Sequence, residues 1–158
     1  MRAIGKAVLT AVCVSALTLL VVPDISAAAE PGGHDMDMGE KVFSGKAGPW
    51  AAEARLVDMK AQMEQSGVSA KTAARFAGKR HLMLFLTDPT TGKPAAGVAG
   101  MVHITGPDKA SSSKVTLVVM GEHIGADVGM PTPGKYTFKA DIESAAEKGS
   151  ATFSYTLK

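Results

Sequence analysis

From Lys79 to the C-terminus, apolar side chains alternate with polar or small ones in short runs separated by turn residues. The run RHLMLFLTD places three leucines on one face of a strand and three other side chains on the opposite face: Leu82, Leu84 and Leu86 against His81, Met83 and Phe85. Four further runs follow, namely VAGMVHIT, KVTLVVM, KYTFKADI and ATFSYTL. Short strands at intervals of about ten residues are typical of a β-sandwich. We therefore expect an all-β, immunoglobulin-like sandwich.

Two of these runs carry further expectations about faces. In VAGMVHIT, Met101 and His103 share a face opposite the valines. In KVTLVVM, the alternation groups Val115 with Leu117 and Val119.

The pattern is less regular before Lys79. Residues 41–50 contain Gly45, Gly48 and Pro49, which favour an edge strand and a turn. The next segment, AAEARLVDMKAQMEQSG, fits both strand and helix spacing. We predict a strand through about Asp58, followed by a short helical or irregular insertion near residues 59–79.

The N-terminus carries the pattern of a secretory signal. Arg2 and Lys6 precede an uncharged apolar run at residues 7–22, and three small residues, 27–29, offer a cleavage site. An uncleaved membrane anchor is the alternative, but the run is shorter than the ~20 residues that span a bilayer. We therefore expect residues 1–29 to be removed from a soluble, periplasmic or otherwise exported protein.

Residues 30–40 read EPGGHDMDMGE, which predicts a flexible arm before a single sandwich domain at 41–158. The only cysteine, Cys13, leaves with the signal, so the mature protein has no internal disulfide and no thiolate metal site. The net charge is +2 and no basic block occurs, so we expect no nucleic-acid partner. The sequence indicates no oligomeric state.

Two motif-bearing stretches, 81–97 and 119–138, stand out. The first carries a histidine, an L-x-D sequence and a Thr-Gly-Lys-Pro turn: His81, Leu86-Thr87-Asp88 and Thr91-Gly92-Lys93-Pro94. The second carries Met120, His123, Gly125-Ala126-Asp127 and Pro133-Gly134-Lys135-Tyr136. Together they resemble the YtkA-like family of exported domains, which is similar in architecture to the FixH and CopC groups. The resemblance implies a small immunoglobulin-like sandwich in a bacterial envelope, near heavy-metal handling or respiratory-oxidase assembly.

Histidines and methionines recur together in this cysteine-free mature chain. Thioether and imidazole donors together favour copper, above all Cu(I). The candidate metal ligands fall into four groups: His34, Met36 and Met38 in the arm; His81 and Met83 on one strand; Met101 and His103 on the next; and Met120 with His123 around a turn. If the strands of the second and third groups are neighbours, those four side chains can meet across the pair.

Each group also has a simpler interpretation. Met83 and Met101 can be core residues, because methionine fills irregular gaps. His81 and His103 can be exposed polar residues, and His123 can be a loop hydrogen-bonding group. The arm motif can be incidental composition.

Other chemistries find little support. No G-x-S-x-G, H-E-x-x-H or phosphate-loop motif occurs, and acids such as Asp127 lie mostly near turns and strand ends, so we expect no enzyme. The first hypothesis is a periplasmic copper-binding accessory or delivery protein with His/Met ligands. The alternative is a non-metal interaction module that serves a respiratory or membrane complex in the envelope. A binder of small ligands in the sandwich interior ranks last.

Overall fold

The computed structural model describes residues 38–158, which form an antiparallel sandwich of eight strands. The strands are β1 (Glu40–Ala47), β2 (Trp50–Asp58), β3 (Lys79–Thr87), β4 (Ala99–Thr105), β5 (Ser113–Met120), β6 (His123–Gly129), β7 (Gly134–Glu143) and β8 (Lys148–Leu157). Two short helices, α1 (Met59–Gln65) and α2 (Ala70–Ala73), and one 3₁₀ turn (Ala74–Phe76) separate β2 from β3. The expected immunoglobulin-like sandwich, with its insertion near 59–79, is confirmed.

The strands are ordered β1-β2-β3-β6-β5-β4-β7-β8 across the sheet. One layer contains β1, β2, β3 and β6, and the other contains β4, β7 and β8. Strand β5 belongs to both, because Ser113 to Leu117 pair with β4 whereas Val118 to Met120 pair with β6. The outer strands β1 and β8 meet where Phe43 stacks on Phe153, with ring centroids 5.2 Å apart.

The switch of β5 between layers alters one expectation from the sequence. Leu117 is buried, but Val119 is 61% exposed although the alternation groups the two on one face. Val118 is 55% exposed as well. The reason is that the strand leaves β4 after Leu117, so Val119 no longer lies over the core, whereas Val118 is on the outer face by the alternation itself.

The core consists of the inward faces of both layers. The three leucines of β3 are 0–4% exposed, and β7 contributes Tyr136 and Phe138, both at 0%. The hydroxyl of Tyr136 donates to the carbonyl oxygen of Thr132 at 2.7 Å, which satisfies its one buried polar group. Period-two alternation thus places apolar side chains inward and leaves the outer faces for other residues.

The insertion after β2 begins with a helix cap. The Oδ1 atom of Asp58 accepts from the backbone N–H groups of Lys60 and Ala61, at 2.9 and 3.1 Å. Its Oδ2 atom lies 3.0 Å from Nη2 of Arg80 at the start of β3. This residue therefore joins β2, α1 and β3.

Among residues 38–158, no helix is long and apolar enough to span a bilayer.

Candidate metal site

Four of the predicted ligands share the outer face of β3, β6 and the end of β5, which we call the site face. On β3, His81 and Met83 point away from the core leucines, as the alternation predicts. Strand β6 runs antiparallel to β3, with Asp127 opposite His81 and Gly125 opposite Met83. Strand β5 then places Met120 opposite His123.

His123 lies between two aromatic rings on the site face. Its ring centroid is 5.2 Å from that of Phe85 and 6.1 Å from that of His81. The planes of the two imidazoles are nearly perpendicular, at 84°. Two imidazoles bound to one ion through nitrogen place their ring centroids about 5–6.5 Å apart, given metal–nitrogen bonds of about 2 Å. The observed spacing is compatible with a shared ion.

The Nε2 atom of His123 is buried and has no hydrogen-bond partner among the described residues. Burial lowers the pKa of His123 below its ordinary value of 6.5, and the electrostatic interaction with the neighbouring His81 ring lowers it further. Both effects favour the neutral form of the His123 imidazole. A neutral imidazole nitrogen is a ligand for borderline and soft metals.

Gly125 lies beside both imidazoles, and we call this position the Gly125 notch. A Cβ atom at this position would lie 2.7 Å from the carbonyl oxygen of Leu82, 3.0 Å from Nε2 of His81 and 3.3 Å from Cδ2 of His123. Both histidine rings thus border the space that a side chain would fill. The absence of a side chain at Gly125 allows both rings to lie this close to the backbone of β6.

The donor chemistry of the site face is soft. No group of three or more His, Cys, Asp or Glu side chains among residues 38–158 is arranged to hold a metal ion. A site at the Gly125 notch therefore needs thioethers beside its two imidazoles. Met83 and Met120 are the thioethers on the adjacent strands, at 8% and 41% exposure. Thioether and imidazole together suit Cu(I) better than hard cations.

Met101 and His103 lie on the other layer, away from His81. They belong to β4, which pairs with β5 and β7, whereas β3 pairs with β2 and β6. The two strands are not neighbours, so the four-residue cluster across them does not form. His103 instead lies in an open groove of about 720 Å³, with its Nε2 atom 3.9 Å from Oδ2 of Asp141.

The arm residues are only partly described. His34 and Met36 lie outside the described residues, and Met38 is the first residue described, at 47% exposure. At Gly39, a Cβ atom would lie 2.8 Å from Cγ2 of Val57. Val57 pairs directly with His81 across the β2–β3 ladder. The chain thus enters the sandwich beside the site face.

Three residues of the site face were not singled out as site residues in the sequence: Phe85, Gly125 and Asp127. Gly125 and Asp127 belong to a motif on which the family resemblance is based. In the sequence, Asp127 is an acid near a strand end, where such residues usually accept hydrogen bonds. Their roles depend on the register between β3 and β6, which joins residues 46 positions apart in the chain. No local pattern signals that register.

The sequence matches no family model, and no curated protein is similar to it. Solved structures are similar in fold. A copper-bound variant of P19 from Campylobacter jejuni has a TM-score of 0.55 at 13% identity, over 75% of this chain and 96% of that one. Copper-reconstituted P19 from the same organism has a TM-score of 0.53 at 11% identity, over 75% and 95%. At this identity the likeness establishes the fold.

Proposed function

We propose that this protein binds Cu(I) outside the cytoplasm as a non-enzymatic accessory or delivery protein. The observation that carries the proposal is the pair of imidazoles bordering the Gly125 notch, of which His123 has a buried nitrogen with no partner within residues 38–158. A buried polar atom without a partner costs free energy. A bound ion would remove that cost.

The proposed ligands are His81 and His123, with Met83 and Met120 as the soft donors. They come from three strands whose outer faces coincide, so a rigid sheet would hold them. Copper is the cargo here and takes part in no reaction of the protein. P19 is copper-bound in a fold of the same kind, which supports copper as the first metal to test.

The arm is the proposed capture segment. Gly39 lies next to Val57, and Val57 next to His81, so about two strand spacings of ~5 Å separate the start of β1 from the site. An extended residue spans about 3.3–3.6 Å, so three residues cover that distance. The chain that carries Met38, Met36 and His34 is therefore long enough to reach the Gly125 notch and to transfer an ion to it.

The proposal also includes the export of this protein and its relation to the YtkA-like family. The N-terminal signal pattern and the YtkA-like motifs both suggest an envelope protein. A membrane or respiratory-complex partner would then receive or supply the copper.

A second candidate function is a metal-free interaction module. The observation in its favour is the exposed apolar end of β5, where Val118, Val119 and Met120 are 41–61% exposed in succession. Apolar side chains that cluster on a surface often mark a contact with another molecule. In this case Met120 contributes contact area to a partner and does not bind metal.

A Cu(I) titration of residues 30–158 under reducing conditions, against a colorimetric chelator, separates the two functions. We expect competition with the chelator, and at least tenfold weaker binding in His81→Ala and in His123→Ala. His103→Ala, on the other layer, is the matched control and should bind as the unaltered protein does. A chain beginning at Met38 tests the arm through the rate of copper uptake. Failure of the unaltered protein to compete would favour the interaction module.

A further inference from the structure

The ligand histidine on β3 has a carboxylate partner. Asp127 lies directly across the β3–β6 ladder from His81, and its Oδ1 atom is 2.8 Å from Nδ1 of His81. This distance is that of a good hydrogen bond. The His81 side chain is 18% exposed and the Asp127 side chain is 62% exposed, so the contact lies at the surface of the site face.

The contact determines which nitrogen of His81 faces the Gly125 notch. A neutral imidazole has one N–H group and one lone pair, and an ionised carboxylate can only accept. The hydrogen bond to Asp127 therefore places the proton on Nδ1 and the lone pair on Nε2. Nε2 is the atom that lies 3.0 Å from the Cβ position at Gly125. The Asp127 carboxylate thus lies at Nδ1 of His81, and the Gly125 notch lies at Nε2 of the same ring.

We propose that Asp127 is a positioning residue, which holds His81 in the Nδ1–H form and presents Nε2 to copper at the Gly125 notch. The effect on copper affinity rests on the proposed copper function, whereas the tautomer of His81 is a property of the metal-free protein. Carboxylates that orient a metal-binding histidine typically contribute 10–100-fold to metal affinity.

The other layer offers a matched control. His103 also has an aspartate nearby, but its Nε2 atom is 3.9 Å from Oδ2 of Asp141, too far for a hydrogen bond. Asp141 also lies 3.7 Å from Nζ of Lys139. An Asp141→Ala change therefore removes an aspartate beside a histidine without altering the site face.

The first test is the tautomer of His81 in metal-free protein at pH 8, read from the ¹⁵N shifts and couplings of the imidazole ring. We expect the Nδ1–H form in the unaltered protein and in Asp127→Asn, whose amide oxygen can still accept. In Asp127→Ala we expect the Nε2–H form to gain population. An Nε2–H form in the unaltered protein would overturn the proposal, whatever the protein does with copper.

The second test is Cu(I) affinity by competition with the chelator. Asp127→Ala should bind 10–100-fold more weakly, Asp127→Asn should lose less than Asp127→Ala, and Asp141→Ala should be unchanged. Affinity of Asp127→Ala within twofold of the unaltered protein would overturn the positioning role. Circular dichroism checks the fold, and the tautomer of the unaltered protein carries the test if the Ala variant does not fold. If the unaltered protein binds no copper, the proposed function fails, and the tautomer measurement still decides the role of Asp127.

Discussion

At the scale of single residues, Gly125 holds the most restricted position on the site face. It faces Met83 on β3 and Val118 on β5, so strands flank it on both sides. Its neighbours leave no room for a methyl group, because the nearest one is the backbone carbonyl of Leu82 at 2.7 Å. A backbone atom in a paired strand cannot move aside as a flexible side chain can.

We expect Gly125→Ala to destabilise the protein and to weaken copper binding. Overpacking of this kind costs about 1–3 kcal/mol, and the methyl group would also fill the space beside Nε2 of His81. Chemical denaturation followed by Trp50 emission measures the first effect, and chelator competition measures the second.

Gly129→Ala is the control, since it lies on the same strand with nothing within 4 Å of the new Cβ atom. It should leave both quantities nearly unchanged. Equal effects at the two glycines would mean that the Gly125 notch has no special role.

His123 makes the stability of the metal-free protein depend on pH. Burial, and then the electrostatic interaction with His81, lower the pKa of His123 below 6.5 in the folded state. As the pH falls, His123 is therefore protonated at a higher pH in the unfolded chain than in the folded protein. This protonation lowers the free energy of the unfolded state relative to the folded state. The contribution is fully present above about pH 6.5 and is lost as the pH falls through the lower, folded-state pKa.

Denaturant unfolding at pH 7.5 and pH 5.5, with a chelator present, should thus show a lower free energy of unfolding at pH 5.5. The difference in free energy of unfolding between the two pH values should be smaller in the His123→Gln variant. It should be unchanged in His103→Gln, which lies on the other layer. An unaltered difference in His123→Gln would rule out His123 as its source.

At the scale of the elements, the sequence predicts strands and faces well and pairings poorly. The alternation in RHLMLFLTD correctly separates the buried leucines from His81 and Met83, because inward and outward side chains follow period two. The strand through Asp58 and the helix after it are also confirmed. These features depend on residues that are near one another in the chain.

Pairing depends on residues that are distant in the chain. Successive strands β3 and β4 lie in different layers, which separates His81 from His103. Strand β6 fills the place beside β3, which brings His123 towards His81 and places Asp127 opposite it. The alternation within each strand is the same for either arrangement, so the composition of the site face could not be predicted.

Asp58 connects three elements, so its loss should show in the stability of the fold. It caps α1 through two backbone N–H groups and contacts Arg80, the residue before His81. We expect Asp58→Ala to cost about 1–2 kcal/mol, as the loss of a helix N-cap does. Asp58→Asn should cost less, because the amide oxygen still caps the helix and an ion pair near the surface contributes little. Thermal and denaturant unfolding measure both variants.

The matched control is Ser69, the N-cap residue of α2, whose side chain makes no capping hydrogen bond. Its hydroxyl instead donates to Oγ1 of Thr72 at 3.1 Å. Ser69→Ala should change the free energy of unfolding by less than about 0.5 kcal/mol, as surface substitutions usually do. A cost for Ser69→Ala as large as that for Asp58→Ala would contradict the capping role.

At the scale of the whole molecule, the sandwich separates two surfaces that carry similar residues. The site face carries His81, His123, Met83 and Met120, near the place where Gly39 approaches Val57. The face of β4 and β7 carries Met101 and His103 over an open groove. Of these two faces, only the site face places two imidazole rings beside one glycine. We therefore expect copper to bind at the site face and not at the face of β4 and β7.

Binding to the folded state alone should therefore raise the stability of the entire domain. Free Cu(I) buffered at 100 times the dissociation constant adds about 2.7 kcal/mol to the free energy of unfolding, provided that the unfolded chain does not bind copper. Trp50 is the only tryptophan and is 5% exposed, so its emission follows global unfolding. We expect the denaturation midpoint to rise with copper and to return when a stronger chelator is added. The double variant His81→Ala with His123→Ala should show no rise, whereas Met101→Leu with His103→Ala should show the full rise. A midpoint that rises equally in both double variants would place the copper away from the site face.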